Sequence, residues 1–248
     1  MKTTDFSDER IIRKFETYPL SHQHILQPAF FRFVGKVKGE SILDLGCGGG
    51  IVSAELAKRG AHCIGVDSSA LFIAKARQKF PHLKFVCSKG SSLKKLKSGT
   101  FDKVVMRNVL LNVPDSREFR GIFRESARVL RPEGELIFSA LHPLVVRTFK
   151  DRVRSVRLPK KATYFDSGMV FENKMILNDF SYIKFTPVHW TLEDISKALE
   201  SNGFVITELR EPQFDGKRYA DILNDTLTTP HYLLIKARLE EKRRRKTG

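Results

Sequence analysis

A short apolar strand runs directly into a glycine-rich turn in ILDLGCGGG, residues 42–50. Glycines in such a turn let main-chain N–H groups approach a nucleotide-like ligand closely. Helical spacing of apolar residues resumes at Ile51, and a second strand, residues 63–66, ends at Asp67. An acid at that distance is positioned to accept hydrogen bonds from both hydroxyls of a ribose. This succession of strand, glycine turn, helix, strand and acid predicts a nucleoside pocket.

The glycines alone fit two cofactor classes. A nicotinamide site usually reads G-x-G-x-x-G after the strand, but here position 51 is Ile, and Asp44 lies two residues before the first glycine. That pattern resembles the first motif of the class I S-adenosylmethionine methyltransferases. In that family the acid at the strand end lies near the positively charged methionine portion of the cofactor. A dinucleotide pyrophosphate would be repelled by the same acid.

Three further stretches resemble later motifs of this family, in the family's order. Residues 101–115 resemble its fourth strand and the following loop, and residues 128–138 resemble its helix, turn and fifth strand. Residues 190–204 resemble its last helix and sixth strand. The matches extend over about four fifths of the chain, and together they are more specific than any one of them alone.

The apolar periodicity predicts an α/β fold with a Rossmann-like seven-stranded sheet between two layers of helices. Continuous apolar strands that alternate with helices indicate a mostly parallel sheet. The last two strands have no helix between them, which fits the antiparallel seventh strand of the resembled family. The expected strands are 41–45, 62–66, 83–87, 101–107, 134–140, 203–210 and 230–238, and the expected helices are 49–59, 69–79, 116–130 and 191–202.

We expect four regions along the chain. Residues 1–38 form a helical lid of two short helices, interrupted by Tyr18-Pro19 and by Pro28. Residues 39–141 and 189–238 form the cofactor-binding core. Residues 142–188 form an aromatic insertion after the fifth strand, which emerges at the carboxyl edge of the sheet and therefore caps the substrate. Residues 239–248 form a basic tail.

Composition restricts the class of protein. The chain has no run of about eighteen apolar residues, and its first residues lack the apolar segment of a signal peptide, so we expect a cytoplasmic protein without a membrane partner. Three cysteines, Cys47, Cys63 and Cys87, show no C-x-x-C spacing, which argues against a disulfide framework and a zinc site. We expect them to be small buried residues.

The formal net charge of +16 arises from 44 Lys and Arg against 28 Asp and Glu. Such a charge attracts anionic partners over the whole surface, but it does not identify the partner. The first part of the insertion, residues 147–161, holds seven basic residues and one acid. It suits an acidic or phosphorylated acceptor, and it also permits binding to nucleic acid.

The resemblance implies a site for S-adenosylmethionine. Asp44 and the glycine turn would surround the methionine and ribose, Asp67 would bind the ribose hydroxyls, and Ser68 would lie beside the adenine. Many relatives have an acid after the third strand that binds the adenine amino group, but that position is Lys89 here. The expected cofactor residues are Asp44, Gly46, Cys47, Gly48, Gly50, Asp67, Ser68, Gly90, Ser91, Arg107 and Asn108.

Two histidines at the junctions of the insertion, His142 and His189, are candidate general bases because imidazole titrates near neutral pH. A hydrogen-bonded structural role is the alternative for each. His22 and His24 are two residues apart and do not face one way on a helix, so we expect no metal site.

The acceptor is the least determined part of the prediction. Enzymes that methylate nucleobase amines often carry Asn/Asp-Pro-Pro-Tyr/Phe where this chain has NVLL at residues 108–111, and the cysteines do not suit a cytosine-C5 enzyme. The C-terminal pattern is most similar to small-molecule O-, N- or C-methyltransferases. An RNA methyltransferase and a noncatalytic binding module with the same fold remain the alternatives.

Overall fold

The computed structural model describes residues 3–6, 8–16, 21–144, 154–177, 179–213 and 230–240. Most of the predicted basic tail and the first part of the basic run, residues 147–153, lie outside these ranges.

Twelve strands form three sheets in the described ranges. They are β1 (Ser41–Leu45), β2 (His62–Asp67), β3 (Lys84–Cys87), β4 (Phe101–Arg107), β5 (Leu130–Leu141), β6 (Arg154–Arg157), β7 (Met169–Val170), β8 (Glu172–Ile176), β9 (Tyr182–Phe185), β10 (Val188–His189), β11 (Phe204–Arg210) and β12 (Tyr232–Leu239). The main sheet has the order β11-β12-β5-β4-β1-β2-β3, in which β12 alone runs antiparallel to its neighbours. The predicted seven-stranded Rossmann-like sheet is therefore confirmed.

Six α-helices accompany the strands in the part of the chain that the structure describes. They are α1 (Glu9–Glu16), α2 (Gln27–Val34), α3 (Ile51–Lys58), α4 (Ala70–Lys79), α5 (Ser116–Val129) and α6 (Leu192–Glu200). The starts of α5 and α6 are fixed by side-chain caps: Asp115 accepts from two main-chain N–H groups of α5, and Thr191 forms a capping box with Asp194. Such caps satisfy N–H groups that have no partner within the helix.

The two faces of the main sheet are covered by different helices. Ile42, Val105 and Ile137 point to the face that α2 and α3 cover, where Phe30 is completely buried. Their strand neighbours point to the opposite face, against α5 and α6. There Trp190 stacks on Phe119 with ring centroids 4.1 Å apart. Because α2 is part of the core on one face, it is a structural layer, and the expected lid can involve only other parts of residues 1–38.

Three local features differ from the sequence prediction. Pro28 does not interrupt the helix before the sheet, because a π-helical turn, His22–Leu26, leads directly into α2 with the proline in its first turn. β5 begins at Leu130, earlier than the predicted residue 134. The turn that we expected before this strand is instead a register shift in its pairing with β4. Cys87 is exposed, because it ends β3, an edge strand of the main sheet.

The insertion forms a three-stranded sheet, β6-β8-β9, and a short pair, β10-β7. Its apolar side packs on the core through Met175, Ile183 and Phe185, which contact Leu111 and Leu141. The other described aromatic rings do not form a common surface with Phe185. Phe171 is buried in a separate cluster, whereas Phe165 is 81% exposed and Phe180 is 53% exposed.

Gly48 and Gly50 in the glycine turn are required for different reasons. Gly48 has a φ of +52°, and a Cβ added there would meet no atom within 4 Å, so the space beside it is open. Gly50 has a φ of +81°, and a Cβ added there would lie 2.8 Å from the ring of Phe85. The turn is thus open on one side and packed tightly on the other.

We expect Gly50→Ala to lower the free energy of unfolding by about 2–4 kcal/mol, the combined cost of a left-handed backbone and an overpacked contact. Gly49→Ala is the matched control, since its φ is not positive and its added Cβ would meet nothing within 4 Å. Urea unfolding followed by circular dichroism measures both. Equal losses for the two variants would contradict this account of the turn.

Candidate functional site

A cavity of about 300 Å³ opens at the carboxyl ends of β1, β2 and β4. This volume lies at the lower end of the range for small-molecule sites, and the location is the one where open α/β sheets bind ligands. Most of the predicted cofactor residues line it. They are Asp44, Gly46, Cys47, Gly48, Asp67, Ser68, Gly90, Arg107 and Asn108.

Two predicted cofactor residues do not line the cavity. Gly50 faces the ring of Phe85, so it supports the turn from behind. Ser91 faces α5, where its Cβ lies 2.7 Å from the position that a Cβ on Gly121 would take. Both residues lie in loops next to the cavity, but the sequence could not show which way each residue faces.

Asp44 is a buried carboxylate at the floor of the cavity, with 1% of its surface exposed. The hydroxyl of Ser53 donates to it at 2.6 Å. Burial raises the pKa of Asp44 to about 6, although Ser53 and the nearby Arg107 act in the opposite direction. A buried carboxylate beside an open cavity favours a ligand that brings a positive charge.

Asp67 ends β2 at the opposite side of the glycine turn. One of its oxygens accepts from the main-chain N–H of Gly48 at 2.9 Å, and the other accepts from Ser69 at 2.8 Å. Burial nevertheless raises its pKa above the usual value. Each carboxylate oxygen keeps further acceptor capacity, so Asp67 can still bind the hydroxyls of a ribose.

Asn108 connects the end of β4 to the amino-terminal segment. It has a left-handed backbone with a φ of +57°. The hydroxyl of Ser139 donates to its amide oxygen at 3.1 Å, which leaves the amide nitrogen to donate to Nε2 of His22, also at 3.1 Å. A strained residue that is held by two partners at the cavity wall is typical of a functional position.

The remaining wall of the cavity is largely apolar. Leu111 follows β4, Leu141 ends β5, and Met175 and Phe185 come from the insertion. Tyr232, at the start of β12, closes the same side, and its hydroxyl is 2.8 Å from that of Ser21. These residues form an apolar compartment of the cavity that His22 and Asn108 also line.

Neither histidine predicted as a base lines the cavity. Nε2 of His142 contacts Glu211 at 2.8 Å, and its Nδ1 accepts from the main chain of Leu144. Nε2 of His189 donates to the carbonyl of Tyr164 at 2.7 Å. Burial lowers the pKa of both rings. Their partners give both a structural role at the junctions of the insertion.

Several cavity residues were not predicted from the sequence. His22 was considered only as a metal ligand, and nothing in its local pattern indicates that the helix places it beside β4. Glu118 and Ile122 belong to the amphipathic helix α5, where helical spacing does not distinguish a cavity face from a core face. Phe6 and Phe72 line the cavity rim.

The buried thiols, Cys47 at the cavity and Cys63 in the core, are not nucleophiles. Burial raises the pKa of Cys47 and of Cys63, so both remain protonated near neutral pH. Within the described ranges, no His, Cys, Asp and Glu side chains cluster in a way that would hold a metal ion. Nor does any helix in those ranges have the length and apolar character needed to cross a membrane.

Comparison with known proteins agrees with this geometry. Residues 43–138 match a family model described as a methyltransferase domain. The chain is similar to a ubiquinone biosynthesis O-methyltransferase from Coxiella burnetii, with 32% identity over 134 residues, which are 51% of this chain and 54% of the relative. The chain thus spans about half the length of the curated relatives it matches.

Solved structures share the fold at low identity. An S-adenosylmethionine-dependent methyltransferase from Mesorhizobium loti superposes with a TM-score of 0.64 at 22% identity, over 85% of this chain and 96% of the other. A structure described as a DhpI–SAH complex superposes with a TM-score of 0.61 at 16% identity, over 96% and 95%. Residues 43–138 thus match a methyltransferase domain, and the chain shares its fold with solved S-adenosylmethionine-dependent methyltransferases, as the sequence motifs predicted.

We expect Asp44→Asn to remove a pH-dependent cost of folding. Because the folded pKa of about 6 exceeds the ordinary aspartate value of 3.8, the parent loses stability as the pH rises between these values, by about 3 kcal/mol in total. The variant should therefore gain stability relative to the parent between pH 4 and pH 7.5, as urea unfolding at both pH values will measure. Glu200→Gln, at an exposed position on α6, is the control. A parent–variant difference that is independent of pH would contradict the assignment.

Proposed function

We propose that this protein transfers a methyl group from S-adenosylmethionine to a nucleophile of a small molecule. One observation carries the proposal: a single cavity combines the glycine turn, the buried Asp44 carboxylate and the Asp67 carboxylate with an apolar compartment. The first three suit an adenosyl ligand with a cationic end, and the compartment suits an apolar acceptor.

The residues fit the parts of the cofactor separately. The open space beside Gly48 admits a ligand close to the main chain. Asp67 would accept from the ribose hydroxyls, and Asp44 would complement the positive charge of the methionine portion. When bound, the cofactor supplies an electrophilic methyl group on a sulfonium. Met175, Phe185 and Leu111 would exclude water from the reacting atoms and help to hold the acceptor in line with that methyl group.

An oxygen nucleophile is our more specific proposal. The curated relatives are named O-methyltransferases, and a hydroxyl acceptor must lose a proton as its oxygen bonds to the methyl carbon and the carbon–sulfur bond breaks. His22 is the imidazole at the cavity wall, and its Nε2 acts as an acceptor toward Asn108. We therefore propose that the acceptor hydroxyl replaces the Asn108 amide as the donor to Nε2 of His22, and that this nitrogen, in place of His142 and His189, takes the proton.

The insertion, residues 142–188, is proposed as the substrate cap. Met175 and Phe185 support this role because they line the cavity from β8 and β9. The amino-terminal segment would contribute through Phe6 and His22. The RNA alternative has less support, since the acceptor side of the cavity is largely apolar.

Calorimetric titration tests the cofactor assignment. We expect the parent to bind S-adenosylhomocysteine and S-adenosylmethionine but not NAD. Asp67→Ala should weaken binding by about 1.5–3 kcal/mol, roughly tenfold to a hundredfold, because hydrogen bonds to a charged acceptor are lost. The affinity of Asp67→Asn should lie between those of the parent and of Asp67→Ala, since the amide keeps one acceptor oxygen. Binding of NAD without any response to S-adenosylhomocysteine would refute the proposed function, and absence of every response would favour a noncatalytic module.

Loss of the imidazole tests the role of His22. With radiolabelled S-adenosylmethionine and a panel of phenols, His22→Gln should lower kcat by about a hundredfold, the usual contribution of a general base. The loss should shrink for acidic phenols, which ionise without help, whereas a purely structural defect would affect all phenols equally. His62→Gln, on an exposed strand end, is the control. A uniform loss across the panel would contradict the proton-acceptor role.

A further inference from the structure

The β2–β3 side of the cavity is the end where a nucleobase would lie. This placement rests on the proposed function, because it follows from Asp67 holding the ribose at the end of β2. Beyond Asp67, the cavity continues along Ser68 to Ser88 and Gly90, which follow β3. Adenine presents an exocyclic amine with two N–H donors, so a site that distinguishes adenine needs an acceptor at this end.

The loop after β3 does not supply a carboxylate. Lys89 is exposed and is not among the residues that line the cavity. The hydroxyl of Ser88 donates to the carbonyl of Ser92 at 2.8 Å, so this side chain is held by its own loop. A strong acceptor must therefore come from another element.

Glu118 enters the same end of the cavity from α5. Asp115 fixes the first turn of this helix by accepting from the main-chain N–H of Glu118 at 2.9 Å. Ile122 lies one turn further along the same helix face, and its Cγ1 is 3.3 Å from the position that a Cβ on Gly90 would take. Because Glu118 and Ile122 both line the cavity and Ile122 lies next to Gly90, this face of α5 forms the cavity wall beside the loop after β3.

The Glu118 carboxylate is available for a ligand. The acidic residues that line the cavity are Asp44, Asp67 and Glu118. Asp44 is bound by Ser53, and Asp67 by Gly48 and Ser69. Glu118 is half-buried, and among the described residues its carboxylate makes no hydrogen bond or ion pair. An acceptor without a protein partner at a cavity wall suits an N–H donor on the ligand.

We infer that Glu118 recognises the exocyclic amine of the cofactor's adenine and so makes the site selective for adenosyl over inosyl ligands. An inosyl ligand carries a carbonyl oxygen where adenine carries its amine. That oxygen would face the Glu118 carboxylate and be repelled, whereas the amine would donate to it. Glu118 on α5 thus accepts from the adenine amine, and the loop after β3 has no acid that could do so.

Competing ligands test the inference directly. Calorimetry should give tighter binding of S-adenosylhomocysteine than of S-inosylhomocysteine to the parent. Glu118→Gln should reduce this preference at least about tenfold, since the amide can donate to the inosyl carbonyl as well as accept from the amine. Glu200→Gln, an exposed acid on α6, should leave the preference unchanged. Thermal unfolding of each variant verifies that the fold is retained.

The outcomes separate this inference from the function on which it rests. If the parent binds S-adenosylhomocysteine and Glu118→Gln keeps the same preference, Glu118 does not read the base and the inference alone is overturned. If the parent binds neither ligand, the proposed function and the inference fail together. A loss of affinity for both ligands by the same factor would make Glu118 a general wall residue and would also overturn the inference.

Discussion

The attachment of the glycine turn to the end of β2 is the constraint on which the rest of the site depends. The main-chain N–H groups of Gly46 and Cys47 both donate to the carbonyl of Val66, at 2.7 and 3.0 Å, and Gly48 donates to Asp67. These bonds join the turn after β1 to the next strand. They fix the distance between the two acids of the site, Asp44 and Asp67, before any ligand is bound. Because the cavity is preformed, less of the binding free energy is lost in ordering the protein when a ligand binds.

The buried carboxylates of the site lower the stability of the folded protein. Asp44 lies within the sheet, and the pKa of about 6 records the cost of holding a carboxylate there. Asp67 carries a cost of the same sign, reduced by two main-chain donors. The strained backbone of Asn108 adds a third unfavourable feature at the same edge of the sheet. The covered faces of the sheet show the opposite character, with apolar side chains from α2 on one side and from α5 and α6 on the other. Stability therefore comes from the two faces, and the carboxyl edge is specialised for binding.

The site is assembled from segments that are distant in sequence. Asn108 follows β4, Ser139 belongs to β5 and His22 precedes the whole sheet, yet hydrogen bonds connect them. Tyr232 reaches the same wall from the last strand, and Met175 and Phe185 reach it from the insertion. The sequence around each of these residues contains no motif that marks it as a site residue. Their common location results from the strand order, which brings β4, β5 and β12 side by side.

The sequence by itself determined the sheet, its single antiparallel strand and the residues of the glycine turn with its two acids. These features arise from local rules: strand and helix periods, glycine at left-handed positions, and an acid at the end of the next strand. Only the tertiary structure decided that His142 and His189 are bound away from the cavity, and that His22 and Glu118 line it. The reason is physical, since a helical pattern fixes which residues share a face but not what that face meets. The direction of a side chain in a loop, as for Ser91, likewise depends on the neighbouring helix, here α5.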